Sequence, residues 1–97
     1  MATYVSLTNW TEKGIAAFGN TVDRAEAGQQ LAAKFGGSLK EIYWTLGPYD
    51  IVAVSAAPDD ESATAFALAL SSQGNVRTTT MRAFSADDMK GIIAKAS

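Results

Sequence analysis

The stretch from Leu39 to Ala56 contains the strongest folding constraint in this chain. Leu39 to Leu46 is aromatic and β-branched enough for a strand, and Ile51 to Ala56 is apolar on both sides. Only Gly47-Pro48-Tyr49-Asp50 separates them. Gly frees the backbone, Pro presets one turn dihedral and Asp accepts turn amides. So short a break permits only an antiparallel hairpin.

The segments on either side supply the other elements. Thr3 to Asn9 alternates, with Tyr4, Ser6 and Thr8 on one side and Val5 and Leu7 on the other, which predicts a strand. Thr11 caps a short helix, with Glu12 near its positive end. Gly19-Asn20-Thr21 interrupts it, and Asn20 or Thr21 caps a longer helix that ends at Phe35. Val22, Ala25, Gly28, Leu31, Ala32 and Phe35 form its inward stripe. Gly28 costs about 1 kcal/mol of helix propensity relative to Ala, which suggests close packing on the sheet. Gly36-Gly37 stops the helix by allowing left-handed backbone. Pro58-Asp59-Asp60-Glu61 opens a further helix with the apolar face Ala63, Phe66, Ala67 and Leu70. Val76 to Phe84, with its threonines, reads as a fourth strand. Ser85 and Asp88 have capping-box spacing, ahead of a last helix striped by Met89, Ile92, Ile93 and Ala96.

The order β, α in two pieces, β, β, α, β, then a terminal helix predicts an α+β fold. Its economical form is a ferredoxin-like βαββαβ sandwich with an extra C-terminal helix. The whole chain, 97 residues, forms one domain. Right-handed crossovers put both main helices on one sheet face. Tyr4, Ser6, Thr8, Glu41, Tyr43, Thr45, Thr78, Thr80 and Arg82 are expected on the other, uncovered face. A small domain with such a face is expected to pair with itself, as a dimer or higher homo-oligomer. On this assignment Thr80→Glu weakens the pair by burying an unpaired charge. A one-residue register slip would exchange the two faces.

Composition removes several chemistries. The chain has neither cysteine nor histidine, so disulfides, thiol nucleophiles, thiolate or imidazole metal sites and a histidine-held haem are excluded. No cofactor and no metal are expected. Net charge is −2 with no basic run, which gives no nucleic-acid footprint. No apolar run approaches the ~20 residues of a spanning helix. The start lacks a basic region followed by an apolar stretch, so a cytoplasmic location is expected.

At Gly47-Pro48-Tyr49-Asp50 the chain resembles the GYD domain family, with Pro48 inserted between the glycine and the tyrosine of the family motif. Supporting stretches are Tyr4 to Thr11, Tyr43 to Gly47, Ala57 to Glu61 and Gly74 to Thr80. The resemblance covers nearly the whole chain and implies a dimeric α/β-barrel type of fold. It implies no particular activity. Many catalytic members of the wider superfamily use a histidine, which this chain lacks.

Several residues could carry function. Tyr49 and Asp50 could act as donor and base at a cavity mouth, or could simply shape a turn. Asn9 and Trp10 follow the first strand, where the resemblance to haem-degrading relatives implies pocket residues; a helix cap and an aromatic lid on the core are the plainer reading. Arg77 and Arg82 lie on opposite faces of the fourth strand. Arg82, sharing a face with Thr78 and Thr80, is the better candidate to hold a carboxylate or phosphate. Tyr43 and Trp44 also occupy opposite faces, and Tyr43 is assigned to the cavity. Asp59, Asp60 and Glu61 serve the helix N-terminus. The leading expectation is a homo-oligomer that binds a small molecule through Asn9, Trp10, Tyr43, Thr78, Thr80 and Arg82. One alternative is a cofactor-independent enzyme, of oxygenase or isomerase type, acting on a small aromatic or carboxylated metabolite. In it Tyr43 or Tyr49 donates, Asp50 or Glu41 is the base and Arg82 holds the anion. The other is a structural assembly module.

Overall fold

In the computed structural model, which describes residues 1–97, the strands are β1 (Ala2–Trp10), β2 (Ser38–Trp44), β3 (Ile51–Ala57) and β4 (Val76–Ala83). The helices are α1 (Glu12–Ala16), α2 (Thr21–Lys34), α3 (Asp60–Ser72) and α4 (Ala86–Ala96). A 3-10 turn at Phe18–Asn20 links α1 to α2. The strands form one antiparallel sheet in the order β2-β3-β1-β4. That is the expected ferredoxin-like arrangement.

Most local signals act as read, but α2 has no side-chain cap: Asn20 makes no capping hydrogen bond, and the Thr21 hydroxyl instead accepts from the Trp44 indole. Thr11 accepts from the amide of Gly14 and caps α1. Gly36, at φ 79°, ends α2, with the amides of Gly36 and Gly37 donating to the carbonyls of Ala33 and Ala32. Asp59 caps α3 through the amide of Ser62 at 2.7 Å. Ser85 and Asp88 form a reciprocal capping box at α4.

For β1 and β4 the two sheet faces are the reverse of the expectation. Cross-strand registers put Val5, Val54, Glu41 and Met81 in one row, and Leu7, Val52, Tyr43 and Thr79 in the next. This apolar face is the one that no helix covers. Tyr4, Ser6, Thr8, Thr78, Thr80 and Arg82 point instead toward α2 and α3, where they line the space beside Ala25, Phe66 and Ala67. Glu41 and Tyr43 do lie on the open face, as expected. Thr45 lies beyond the end of β2, and its hydroxyl donates to the carbonyl of Tyr49. Burying Thr8 and half-burying Ser6 and Thr78 costs little because these hydroxyls bond to one another and to Thr80. The irregularity between Leu39 and Glu41 puts Leu39 and Ile42 together on the helix side, as a bulge does by inserting one residue into the pleat.

Two packing expectations also change. The expected close packing of Gly28 on the sheet is not seen: its nearest neighbour is Leu70 of α3, which an added Cβ would meet at 3.9 Å, an ordinary contact. Val22 stands exposed, outside the inward stripe. The protomer's core is thin: only 9 of 97 residues are buried, and no large side chain is completely enclosed. Helix α4 makes no substantial contact with the rest of the chain, and Met89, Ile92 and Ile93 remain exposed on it. The molecule measures 50 Å in its longest direction but 17 Å in its shortest.

Candidate functional site

The inner faces of β1 and β4 meet in four rungs: Tyr4 opposite Arg82, Ser6 opposite Thr80, Thr8 opposite Thr78, and Trp10 opposite Val76. The middle rungs are hydroxylic. Ser6 and Thr80 are 3.0 Å apart, Thr8 donates to Thr78 at 3.3 Å, and Thr78 and Thr80 are 3.2 Å apart. Each hydroxyl offers one proton and two lone pairs, so the chain of contacts leaves acceptor capacity free. At the Trp10 end lies an inner cavity of about 90 Å³, whose walls include Trp10, Ile42, Phe66 and Leu70. At the Arg82 end a wider cleft of about 350 Å³ opens between α3 and β4. Cavity and cleft meet at Ala67, Thr78 and Thr80. The small side chains of Ala63 and Ala67 on α3 leave this gap.

The cleft carries the charged groups. The buried Tyr4 phenol donates to Asp60 Oδ1 at 2.5 Å. This hydrogen bond, then burial, then the charge of Asp60 hold the phenol above its ordinary value of 10.0. Arg82 lies 3.5 Å from the same carboxylate oxygen, and both side chains remain solvent-accessible. Its guanidinium also stands 5.1 Å from the Phe84 ring centroid and 5.9 Å from that of Tyr4, within cation–π range. Arg24, at the other end, donates from Nη2 to the carbonyls of Gly14 and Ala17 and so closes α1.

The expected site residues therefore separate into groups. On the helix side Trp10 lines the inner cavity and Arg82 the cleft, while Thr78 and Thr80 line both. Asn9 and Tyr43 face the opposite side of the sheet, exposed. No single pocket holds Asn9 or Tyr43 together with Arg82, because successive residues on a strand point to opposite faces. Trp44, on the helix side, donates from its indole to Thr21 at 2.9 Å. Ser6, Tyr4 and Asp60 complete the inner groups. Ser6 and Tyr4 were legible as sharing a face with Thr8, but the face was misassigned.

Tyr49 and Asp50 do not form a donor–base pair over a cavity. Asp50 Oδ2 accepts from the backbone amide of Trp10 at 2.9 Å, and the Asp50 amide donates to the carbonyl of Thr8. The carboxylate was expected to close its own turn; it instead ties the hairpin to the end of β1. Gly47, at φ 128°, adopts a backbone that side chains resist. No three acidic groups approach closely enough to hold a metal ion, and no helix is long and apolar enough to cross a membrane.

Comparison with known proteins agrees with this architecture. The chain is 33% identical over 90 residues, 92% of its length and 95% of the relative's, to a protein of Thermus thermophilus. That relative is named glutamine synthetase and cystathionine beta-lyase binding protein. The fold is similar to the crystal structure of TTHA0845, also from Thermus thermophilus, with a TM-score of 0.58 and 27% identity. The match covers 89% of this chain and 96% of that one. The family model of the GYD domain matches residues 4–93, and the chain belongs to that family.

Proposed function

We propose that this chain is a non-catalytic binding domain, which pairs with a second copy through its open sheet face and as a pair docks onto a larger protein. The observation that carries the reading is the apolar cluster Val5, Leu7, Val52, Val54 and Met81, bordered by Glu41, Tyr43 and Thr79, on a face that no helix covers. Four strands spaced ~4.8 Å apart and rising roughly 3.4 Å per residue make a face of about 500 Å². A standard interface needs ~800 Å² per partner. The exposed stripe of α4 offers further apolar area toward that requirement. A second copy fits because sheet-on-sheet packing of two such faces builds an ordinary core about 10 Å thick.

The similar protein from Thermus thermophilus is named for binding two enzymes, and this supports a protein as the further partner. A cytoplasmic setting suits such a partner. The enzyme alternative lacks support because Asp50 is spent on a backbone amide and Tyr49 faces no cavity.

The test is co-elution of the purified chain with glutamine synthetase and with cystathionine β-lyase from the source organism, beside a Val54→Glu variant. The parent should be retained by at least one enzyme at micromolar concentration, and the variant should be retained at least 10-fold more weakly. Failure of both enzymes to retain the parent would remove the protein-partner half of the reading. Equal retention of parent and variant would remove the role of pairing.

A further inference from the structure

Arg82 differs from the other inward-facing arginine. Arg24 donates to two carbonyls, whereas the Arg82 guanidinium makes an ion pair at 3.5 Å and no hydrogen bond within the chain. Its planar fork of donors, which matches a carboxylate, is thus unspent. The rings of Phe84 and Tyr4 hold it in place. Asp60 is half spent in the same way: Oδ1 takes the Tyr4 hydroxyl, and Oδ2 has no side-chain partner. The two opposite charges stand together on the cleft of about 350 Å³, at the low end of the roughly 300–1,000 Å³ that ligand pockets occupy. Thr80 and Thr78 continue from them as neutral hydroxyls, and the alanines of α3 form the apolar wall.

We infer that this cleft is a binding site for a small free α-amino acid. The ligand's carboxylate takes the fork of Arg82 and the hydroxyl of Thr80. Its ammonium takes Asp60, and its side chain lies along Ala63 and Ala67 toward the inner cavity. A plain carboxylate is disfavoured because Asp60 repels it, and a plain amine is disfavoured by Arg82. A ligand bearing both charges on neighbouring atoms answers both. The cleft lies on the helix side, so pairing through the open face leaves it accessible. The inference therefore stands independently of the proposed protein partner.

The test is isothermal titration of the full chain with each of the common L-amino acids, with acetate and methylamine as the half-ligands. At least one amino acid should bind with Kd below 1 mM, and acetate and methylamine should each bind at least 10-fold more weakly. Arg82→Gln and Asp60→Asn should each raise Kd at least 10-fold, with folding checked by circular dichroism. Thr80→Val, which keeps the side-chain shape, serves if either charged variant fails to fold, and should raise Kd about 3-fold. Absence of binding by every amino acid at 10 mM would overturn the inference. So would acetate or methylamine binding as tightly as the amino acid, or binding that the variants leave unchanged.

Discussion

On the helix side of the sheet Ser6, Thr8, Thr78 and Thr80 bond to one another, whereas on the other side Val5, Leu7, Val52, Val54 and Met81 have only their strand neighbours. Thr8 is buried, Ser6 and Thr78 are half-buried and Thr80 is exposed on the cleft, whereas no helix covers the half-buried valines of the other face. Hydroxyls can be buried cheaply when they pair, because the lost water bonds are replaced. Apolar side chains gain only by leaving water. A sheet whose helix side is hydroxylic and whose helix-free side carries valines is what the proposed pairing rests on. Met81 is 44% exposed and Tyr43 57%, and in the proposed pair both are covered by a second copy.

The largest effect is expected on the open face. The melting temperature of the parent should rise with protein concentration, since pairing stabilises by mass action. Val54→Glu places a charge at the centre of the pair, and the dissociation constant should rise at least 100-fold, about 2.7 kcal/mol. Its melting temperature should lose the concentration dependence, as differential scanning calorimetry would register. Unchanged concentration dependence would break the distinction between the faces.

On the helix side the effect should fall on stability instead. Ala53, 8% exposed, packs under the helices between Ser6 and Ile42. Ala53→Leu should overpack this layer and cost about 1–3 kcal/mol by chemical denaturation, with pairing still detectable. The hairpin offers a comparison of similar size. Asp50→Ala leaves the Trp10 amide without its partner and should cost about 2 kcal/mol. Gly47→Ala forces a side chain into left-handed backbone at about 1–3 kcal/mol. Tyr49→Phe should shift the same unfolding curve by less than about 0.5 kcal/mol.

The smallest effect concerns the rim of the cleft. The Tyr4 pKa is raised in the fold, first by the hydrogen bond to Asp60 and next by burial. The contribution of the phenol is complete below its ordinary value of 10.0 and is lost as pH rises through the higher folded value. Stability measured from pH 9 upward should therefore decline in the parent, and Tyr4→Phe should show a shallower decline. An equal slope in both would remove the phenol from that balance.

Much of this fold is written in local chemistry. The Gly36 stop, the Ser85 and Asp88 capping box and the short hairpin all specify elements from adjacent residues alone. The order of those elements then leaves few topologies. The choice of covered face was not legible in the same way. Alternation in β1 shows that Tyr4, Ser6 and Thr8 share a side, but not which side the helices will take. That choice rests on pairings far apart in sequence, such as Tyr4 with Asp60 and Ser6 with Thr80. The expectation also took the apolar side of β1 for the helix side, whereas the helices pack on the hydroxylic side. Of the residues around the candidate cleft and cavity, Trp10, Thr78, Thr80 and Arg82 were named from the sequence, although Thr78, Thr80 and Arg82 were placed on the other face. Asn9 was grouped with them through the resemblance, and Tyr43, correctly placed on the open face, was grouped with residues that turn out to lie on the other. The partner of Asp50 was hidden because the Trp10 amide lies 40 residues away in sequence.

The most direct test of the open face is sedimentation velocity at micromolar concentration on the parent, Val54→Glu and Thr80→Glu. The two variants add the same charge on opposite sides of one sheet. Pairing through the open face predicts a dimer for the parent, a monomer for Val54→Glu and a dimer for Thr80→Glu. A monomeric parent would contradict it, as would a Thr80→Glu monomer beside a Val54→Glu dimer.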